Sequence, residues 1–562
     1  MQSTILKISK FISPAITPKI NLASCLVVAF FLSWLFIGLA IYKDYGISWD
    51  ETIERTTGIV NLNYIGEQFR LNWILNSETL AKYRGHQLIE YRDRIFGPFF
   101  AIVSVALERV FHIGSGWNEQ LIYQFRHLLT FLVSFLGGIA IYQLAKRRFG
   151  NWRIGLLAVL FFILSPRFFA ESFYNPKDLI FLSFFAIALN FNISLLTKHG
   201  YASAIAAAIA SAIAIDVRIT GIILPVMTVL VLFIQLLKGE LNLTKALQIL
   251  GVYILFIALI IFLFWPWLWP NPGKHFLEAL VGFSRWVRSD SQLLFMGQWI
   301  RSINLPWQYI PVWIALTTPP LYLILFIIGA LLSCYQLIKN SFRLWANQDQ
   351  LQDLIFVSIV ILPIGAVIAL NSVLYDGWRH LYFIYPAFLM LALKAAMMIW
   401  NITRNYLIPR IIVLVILFCC LSWNTLWIIN AHPLQNVYFN IFAGKNWKTK
   451  FDVDYWGLGN QLALEYILNH DNRSKITVFA GSDIDLSIAF VILSPAQRER
   501  LIRVNTIDTA NYVITNYRSN LTDYSKDKNK FNLVYENIIS DEVITSVFQR
   551  NSDVELLKSS TN

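Results

Sequence analysis

The chain has 562 residues, 56% of them hydrophobic, 15% aromatic and only 14% charged, with a mean hydropathy of +0.54. That composition excludes a soluble globular protein and describes a polytopic membrane protein. The formal net charge is +12, and since the segment 431–562 is close to charge balance, the excess base belongs to the apolar part; a membrane lipid rather than a nucleic acid is the expected partner.

In chain order, apolar runs of the length needed to cross a bilayer, about 20 residues, fall at 24–43, 125–145, 152–170, 179–197, 201–216, 219–237, 246–265, 314–338, 354–371, 381–399 and 411–430. The first is too long for a signal-peptide core and reads as a signal anchor. Lys7, Lys10 and Lys19 precede it, which puts the N-terminus on the cytoplasmic side. Alternate loops are then short and basic: Lys146-Arg147-Arg148 with Arg153, Lys198, Lys238 with Lys245, Lys339 with Arg343, and Arg404 with Arg410. The apolar stretch Ile95 to Phe111 is interrupted by Glu108 and Arg109, and counting it as a span would invert that frame. It is expected to lie at the outer interface as a helix. The four cysteines sit inside apolar runs, without metal-ligand spacing.

In this frame the outer side carries the first loop, the turns near Asp178, Arg218 and Arg379, the loop 266–313 and the C-terminal segment. Bases cluster there beside helix ends: Arg92, Arg94, Arg126, Lys177, Arg218, Arg285, Arg288 and Arg379. Such a cluster suits an anionic headgroup or phosphate, and snorkelling is the plainer explanation for part of it.

The outer loops also hold the groups that could do chemistry. Asp50-Glu51 closes the run Asp44-Tyr45-Gly46-Ile47-Ser48-Trp49, directly after the first span. Its carboxylates fit either the first turn of an interfacial helix, as caps, or an acid/base site. Asp178, at the end of Glu171-Ser172-Phe173-Tyr174-Asn175-Pro176-Lys177, is a good N-cap and equally a rigidly held acceptor-binding or metal-binding carboxylate. Asp216-Val217-Arg218 is a polar turn, and Tyr375-Asp376-Gly377-Trp378-Arg379-His380 concentrates polar and turn-forming residues at the start of a span. Arg379 supplies a planar fork that matches phosphate oxygens. Phe264-Trp265-Pro266-Trp267-Leu268-Trp269 reads as an aromatic belt, whose rings also suit a polyprenyl chain or a sugar. No Walker loop, dinucleotide fingerprint, zinc-protease motif or nucleophile elbow is present.

Together, Trp49-Asp50-Glu51, an interfacial helix followed by Arg126, Lys146-Arg147-Arg148-Phe149-Gly150, Asp178, and Asp376-Gly377-Trp378-Arg379-His380 before Pro386 resemble the GT-C superfamily of polyprenyl-phosphate-sugar-dependent glycosyltransferases. That superfamily includes the protein O-mannosyltransferases and lipid A aminoarabinose transferases, of the glycosyltransferase family 39 type. His432-Pro433-Leu434-Gln435-Asn436-Val437-Tyr438-Phe439-Asn440 and Asp452-Val453-Asp454-Tyr455-Trp456-Gly457 resemble bacterial branches of it. Arg92-Asp93-Arg94-Ile95-Phe96-Gly97-Pro98 stands where many relatives carry a Lys-Pro-Pro-Leu-like element.

The resemblance implies a GT-C-like polytopic α-helical membrane protein of about eleven transmembrane helices, with interfacial helices in the first outer loop. It implies an inverting transferase in the plasma membrane, moving a sugar from a polyprenyl-monophosphate donor to an extracytoplasmic acceptor (protein, lipid or glycan). Asp50 would act as general base, with Glu51 and Asp178 as further catalytic carboxylates. Lys177, Arg218, Arg379, His380 and Arg94 would hold the donor phosphate. Trp49, Tyr174, Asn175, Tyr375, Asp376 and Trp267 would touch sugar or lipid. A divalent metal (Mg or Mn) is the one cofactor considered, with Asp178 as its ligand.

Two domains are expected: a catalytic membrane domain, 1–430, and a small extracytoplasmic α/β domain, 431–562. The latter is read from β-like Ile476-Thr477-Val478-Phe479 and Tyr512-Val513-Ile514-Thr515 and from a helical stretch, Gly457 to Asn469. A transporter or lipid flippase is the non-enzymatic alternative, although such proteins usually carry internal repeats and midplane charges, neither of which is found. A glycan ligase or polymerase with a diphosphate-linked donor is the other, in which Arg and His would dominate and Asp50 would be dispensable.

Overall fold

The computed structural model describes residues 21–77, 80, 87–114, 119–284, 290–526 and 530–551. Lys7, Lys10, Lys19, Arg285 and Arg288 lie outside them. Helix α1 (Leu22–Ile41), uncharged along its whole length, is a unit by itself, and the chain from Tyr42 onward is a second compact unit. Among the described residues nine helices are long and apolar enough to cross a membrane, ten if one bent pair is a single span. The protein is a multi-pass membrane protein.

Within the second unit, α2 (Trp49–Phe69) and α3 (Phe99–Val110) occupy the segment between the first two spans. The interfacial helix expected at Asp50-Glu51 thus starts at Trp49 and runs for 21 residues. A buried charge triad ties these helices to α4 (Glu119–Phe149): Glu108 of α3 accepts from Arg55 of α2 at 3.1 Å and from Arg126 of α4 at 2.9 Å. Arg126, grouped above with the bases facing a lipid headgroup, is 1% exposed and serves this triad.

The expected span 152–170 is not one straight helix. Trp152–Ile163 (α5) and Pro166–Tyr174 (α6) are bent by 74°, because Pro166 has no amide hydrogen to continue the ladder and disfavours helical geometry in Ser165 before it. The bend turns α6 beneath the start of α7 (Asp178–Lys198). Helix α8 (Tyr201–Val217) has 17 residues and is shorter than the other spans. It is followed by the turn Ile219–Ile222 and by α9 (Ile223–Leu237) and α10 (Leu243–Phe264). A polar knot inside the bundle joins four of these helices: Asn192 donates to Ser211 at 2.8 Å and accepts from Thr228 at 2.8 Å and Tyr253 at 2.7 Å. Each group is satisfied, as burial in hydrocarbon requires.

The expected span 314–338 begins only at Pro320 (α11, Pro320–Asn340), after a separate helix, Tyr309–Thr317. Then come α12 (Gln348–Ala369), α13 (Tyr385–Thr403, preceded by the tight turn Arg379–Ile384) and α14 (Leu407–Asn430). At the helix ends remote from Asp178, Asp353 accepts from Arg148 at 2.8 Å and Lys394 at 2.8 Å, so the basic loops gather at one end.

The tail forms a five-stranded mixed sheet. Strands β3 (Ile476–Ala480), β4 (Leu501–Val504) and β5 (Tyr512–Thr515) are parallel, and β6 (Phe531–Ile539) and β7 (Glu542–Arg550) form a hairpin, in the order β4-β3-β5-β7-β6. An earlier hairpin, β1 (Gln292–Phe295) with β2 (Gln298–Arg301), precedes them in the chain. The sheet packs on α15 (Gly459–His470) through Ala463, Leu464, Ile467, Ile476, Val478 and Ile514.

Candidate active site

The tail motifs are what bring the tail onto the membrane helices. Asp454 accepts from the amides of Leu458 and Gly459 and from Asn436 at 3.2 Å. Burial raises the Asp454 carboxyl above its usual range despite these bonds. Tyr455 reaches Glu171 of α6 at 3.2 Å, and Arg167 of α6 donates to the Tyr438 carbonyl at 3.0 Å. The segments resembling bacterial relatives are therefore the floor under α6.

Above this floor lies a cavity of about 720 Å³. One wall is apolar, formed by Ile223 of α9, Pro363, Ala366 and Val367 of α12, Leu370 and Phe383. A second carries Trp49, Asp50, Glu54, Lys177, Arg218 and Arg379. A third comes from the sheet: Asp483 and Ile484 after β3, Arg518 and Ser519 after β5.

The polar wall is a chain of ion pairs. Arg379 donates to Asp50 at 2.8 Å and to Asp178 at 3.0 Å, and lies 3.4 Å from Asp376. Arg218 pairs with Asp178, and Arg518 with Asp376 at 2.8 Å. Lys177 pairs with Glu54 at 2.5 Å. The Arg379 guanidinium is held between the rings of Tyr375 and Trp456, 4.9 Å from each centroid. Despite these pairs, Arg218 Nε, Arg379 Nε and His380 Nδ1 are buried with no hydrogen-bond partner among the described residues. Unmet polar groups at a cavity wall are costly unless a ligand completes them.

Local structure explains each placement. Asp50 stands in the first turn of α2, where the helix dipole favours a carboxylate. Asp178 opens α7, and its amide and that of Lys177 donate to the Asn175 side chain at 2.7 Å and 3.2 Å. Asp376 and Gly377 both have positive φ, 57° and 75°, a tight turn that starts the segment carrying Arg379.

Of the residues expected to act here, Trp49, Asp50, Lys177, Arg218, Tyr375, Asp376, Arg379 and His380 all line the cavity. Asp178 sits one layer behind, 1% exposed. Five others are placed elsewhere. Glu51 is spent on the Ser48 amide at 2.7 Å and on His127 at 3.0 Å, which fixes the start of α2 on α4. Tyr174 is buried against Tyr45 and Trp456, and the Asn175 side chain braces the turn before α7. Trp267 stacks on His275 at 4.6 Å, and Arg94 donates to the Tyr91 carbonyl and lies over the Trp267 ring. These two pack under the loop instead of facing the cavity.

Asp178 was also the expected metal ligand. Its oxygens accept from Arg218, Arg379 and Asn175, and among the described residues no group of three His, Cys, Asp or Glu side chains converges as a metal site. The donor set around Asp178 fits guanidinium partners.

Sequence reasoning passed over the sheet's contribution. Arg518 reaches Asp376 from 142 positions away. The usable signal was position: a polar run, Asn516-Tyr517-Arg518-Ser519-Asn520, directly follows a strand, and carboxyl ends of parallel strands are where α/β folds bind ligands.

Residues 122–267 match the family model described as dolichyl-phosphate-mannose-protein mannosyltransferase. That segment runs from α4 past Asp178 and Arg218 to Trp267. No curated protein sequence matches the chain significantly. Among solved structures, ArnT from Cupriavidus metallidurans, bound to undecaprenyl phosphate, is similar at 14% identity, with a TM-score of 0.47 over 94% of this chain and 98% of that one. Over residues 122–267 the chain is thus similar to a family of membrane-bound mannosyltransferases, and its described residues form a bundle of membrane-spanning helices.

Proposed function

We propose that the protein is an inverting glycosyltransferase that moves a sugar from a polyprenyl-monophosphate donor to an acceptor outside the cytoplasm. The observation that carries this reading is the pairing, in one cavity, of a carboxylate with an incomplete cationic wall. Asp50 is held by Arg379, while Arg218 Nε, Arg379 Nε and His380 Nδ1 have no hydrogen-bond partner among the described residues. A phosphate drawn to that wall would give these buried nitrogens a partner once the side chains turn toward it, with Arg supplying paired N–H groups. The apolar wall from α9 and α12 is the natural place for the first isoprene units.

In this reading Asp50 takes the proton from an acceptor hydroxyl or amine as that atom attacks the anomeric carbon. The glycosidic C–O bond to phosphate breaks on the opposite face, and the leaving phosphate keeps its electron pair under Arg218, Arg379, His380 and Lys177. One displacement inverts the anomeric configuration. Asp178 positions Arg218 and Arg379 instead of touching substrate. In this reading the membrane is the plasma membrane, and the positive-inside rule favours the basic loop end as cytoplasmic with the cavity and sheet outside.

The test is consumption of a panel of radiolabelled polyprenyl-monophosphate sugars by membranes containing wild type or Asp50→Asn, with added divalent metal and with chelator. Turnover by wild type and its loss in the folded variant is the expected result. Equal turnover by both would remove Asp50 from the chemistry. Failure of wild type to consume any donor in the presence of cell-envelope acceptors would favour a diphosphate donor or a transport role.

A further inference from the structure

The third wall of the cavity has a chemistry of its own. Strand β3 runs parallel to β4 on one side and to β5 on the other. The strand order therefore reverses at β3, and the crevice at the carboxyl ends of such strands is the usual ligand site of a parallel sheet. Here it opens onto the membrane cavity, because Asp483 and Ile484 follow β3 while Arg518 and Ser519 follow β5, and all four line it.

The crevice also continues away from the membrane helices. A recess of about 210 Å³ shares Asp483 and Ile484 with the main cavity and adds Ser482, Asp485, Arg503 and Asn505. Arg503 is paired with Asp485 at 2.8 Å. Asp483 is exposed and makes no hydrogen bond or ion pair among the described residues. The loop after β5 is held in one shape: Tyr517 and Ser519 have φ of 62° and 58°, Asn516 donates to the Asp454 carbonyl at 2.8 Å, and Arg518 bonds Asp376 and the Tyr455 carbonyl. Backbone held in this sparsely populated region marks a loop whose shape is over-determined by its surroundings.

We infer that this recess is the acceptor subsite and that it takes a glycan, with Asp483 at the junction accepting hydrogen bonds from hydroxyls of the sugar unit that presents the nucleophile. The inference rests on the glycosyltransferase reading above for the word acceptor, not for the binding itself. The two ends of the cavity differ in chemistry: on the phosphate side Lys177, Arg218 and Arg379 stand among paired carboxylates, whereas the recess offers the free Asp483 carboxylate, the Asn505 amide and the Ser482 hydroxyl beside the mutually paired Asp485 and Arg503. An open recess with room for about one sugar ring and side chains that both donate and accept suits vicinal hydroxyls. An extended peptide would instead need a free strand edge beside alternate side-chain pockets.

The test uses the full chain in nanodiscs. In the first arm, equilibrium binding is measured for fluorescent hexose and N-acetylhexosamine oligosaccharides, which needs no donor. Wild type should bind a member of this panel, and Asp483→Asn and Asn505→Ala should each weaken it about tenfold, the effect of losing a hydrogen bond to a charged or amide group. In the second arm, transfer from the donor identified above should show the same rise in acceptor KM with donor KM little changed. Both variants are at exposed positions, and unchanged melting confirms that they fold. Binding of no oligosaccharide by wild type, undiminished binding in both variants, or transfer to peptides in preference to glycans would overturn the inference. Glycan binding that depends on Asp483 without any sugar transfer would sustain the subsite and sink the glycosyltransferase reading instead.

Discussion

Arg379 donates to Asp50 at 2.8 Å across 329 positions of sequence, so the residue read as base is held by a residue read as phosphate ligand. The same nitrogen also reaches Asp178. Asp50 keeps 16% side-chain exposure and Asp178 only 1%, which is why the proposed mechanism gives proton transfer to Asp50 and positioning to Asp178.

Asp50→Asn keeps the size and much of the hydrogen bonding to Arg379 but removes the basic oxygen. Sugar transfer should fall by about 10²- to 10⁴-fold, the usual worth of general base catalysis, with melting temperature nearly unchanged. A variant that transfers at the wild-type rate would place the base elsewhere.

Arg379→Gln should act on stability as well as on donor binding. It leaves Asp50, Asp178 and Asp376 without a shared cation in a buried site, and removing one member of a buried ion pair costs about 3–5 kcal/mol. Thermal unfolding in detergent reads this directly, and Arg379→Lys should recover only part of it because a single ammonium cannot serve divergent carboxylates as the guanidinium does. A melting temperature equal to wild type in Arg379→Gln would show that the network carries no net stability.

Glu51 separates position from proximity. Adjacent to Asp50 in sequence, it instead caps the Ser48 amide and pairs with His127. Glu51→Gln should lower stability by about 1 kcal/mol, as loss of a helix-capping carboxylate does, and leave the turnover of the folded fraction close to wild type. A loss of turnover matching that of Asp50→Asn, in protein of unchanged melting temperature, would return Glu51 to the catalytic group.

Asp452 gives a pH dependence with a definite sign. Its carboxyl accepts from the Leu294 amide at 3.1 Å, and burial, aided by Asp376 and Asp483 and opposed by Arg518, pushes it up to about 7. An unfolded Asp titrates near 3.9, so between these values the folded state binds the extra proton and stability falls as pH rises. Its contribution is full below about pH 4 and lost as pH passes through 7. Asp452→Asn, which mimics the neutral acid, should melt higher than wild type at pH 8 and level with it at pH 4. The reverse order at pH 8 would show that Arg518 dominates burial.

Gly97→Ala tests the loop that closes the cavity below Asp93. A Cβ at Gly97 would stand 1.9 Å from the Asp216 carbonyl oxygen at the end of α8. The backbones must separate, at about 1–3 kcal/mol, and both melting temperature and donor affinity should drop. Wild-type values for both would mean that this contact is not maintained.

The membrane class, the positions of most spans, the shared location of Asp50, Lys177, Arg218 and Arg379, and the strands at 476–479 and 512–515 were legible in the linear chain. These rest on local quantities: run length against bilayer thickness, charge at loop ends, and alternation along a strand. The bend at Pro166 was legible only as a proline, since the direction α6 takes is set by Tyr438 and Tyr455, which bond its Arg167 and Glu171 from elsewhere in the chain. Which neighbouring carboxylate faces the cavity was decided by tertiary structure, because Asp50 and Glu51 have the same chemistry and differ only in what stands opposite each. Arg518 and Asp483 belong to the same class. A residue whose partner lies 142 positions away has no periodicity to announce it, and only the packing of the sheet over the helix ends makes its charge part of the site.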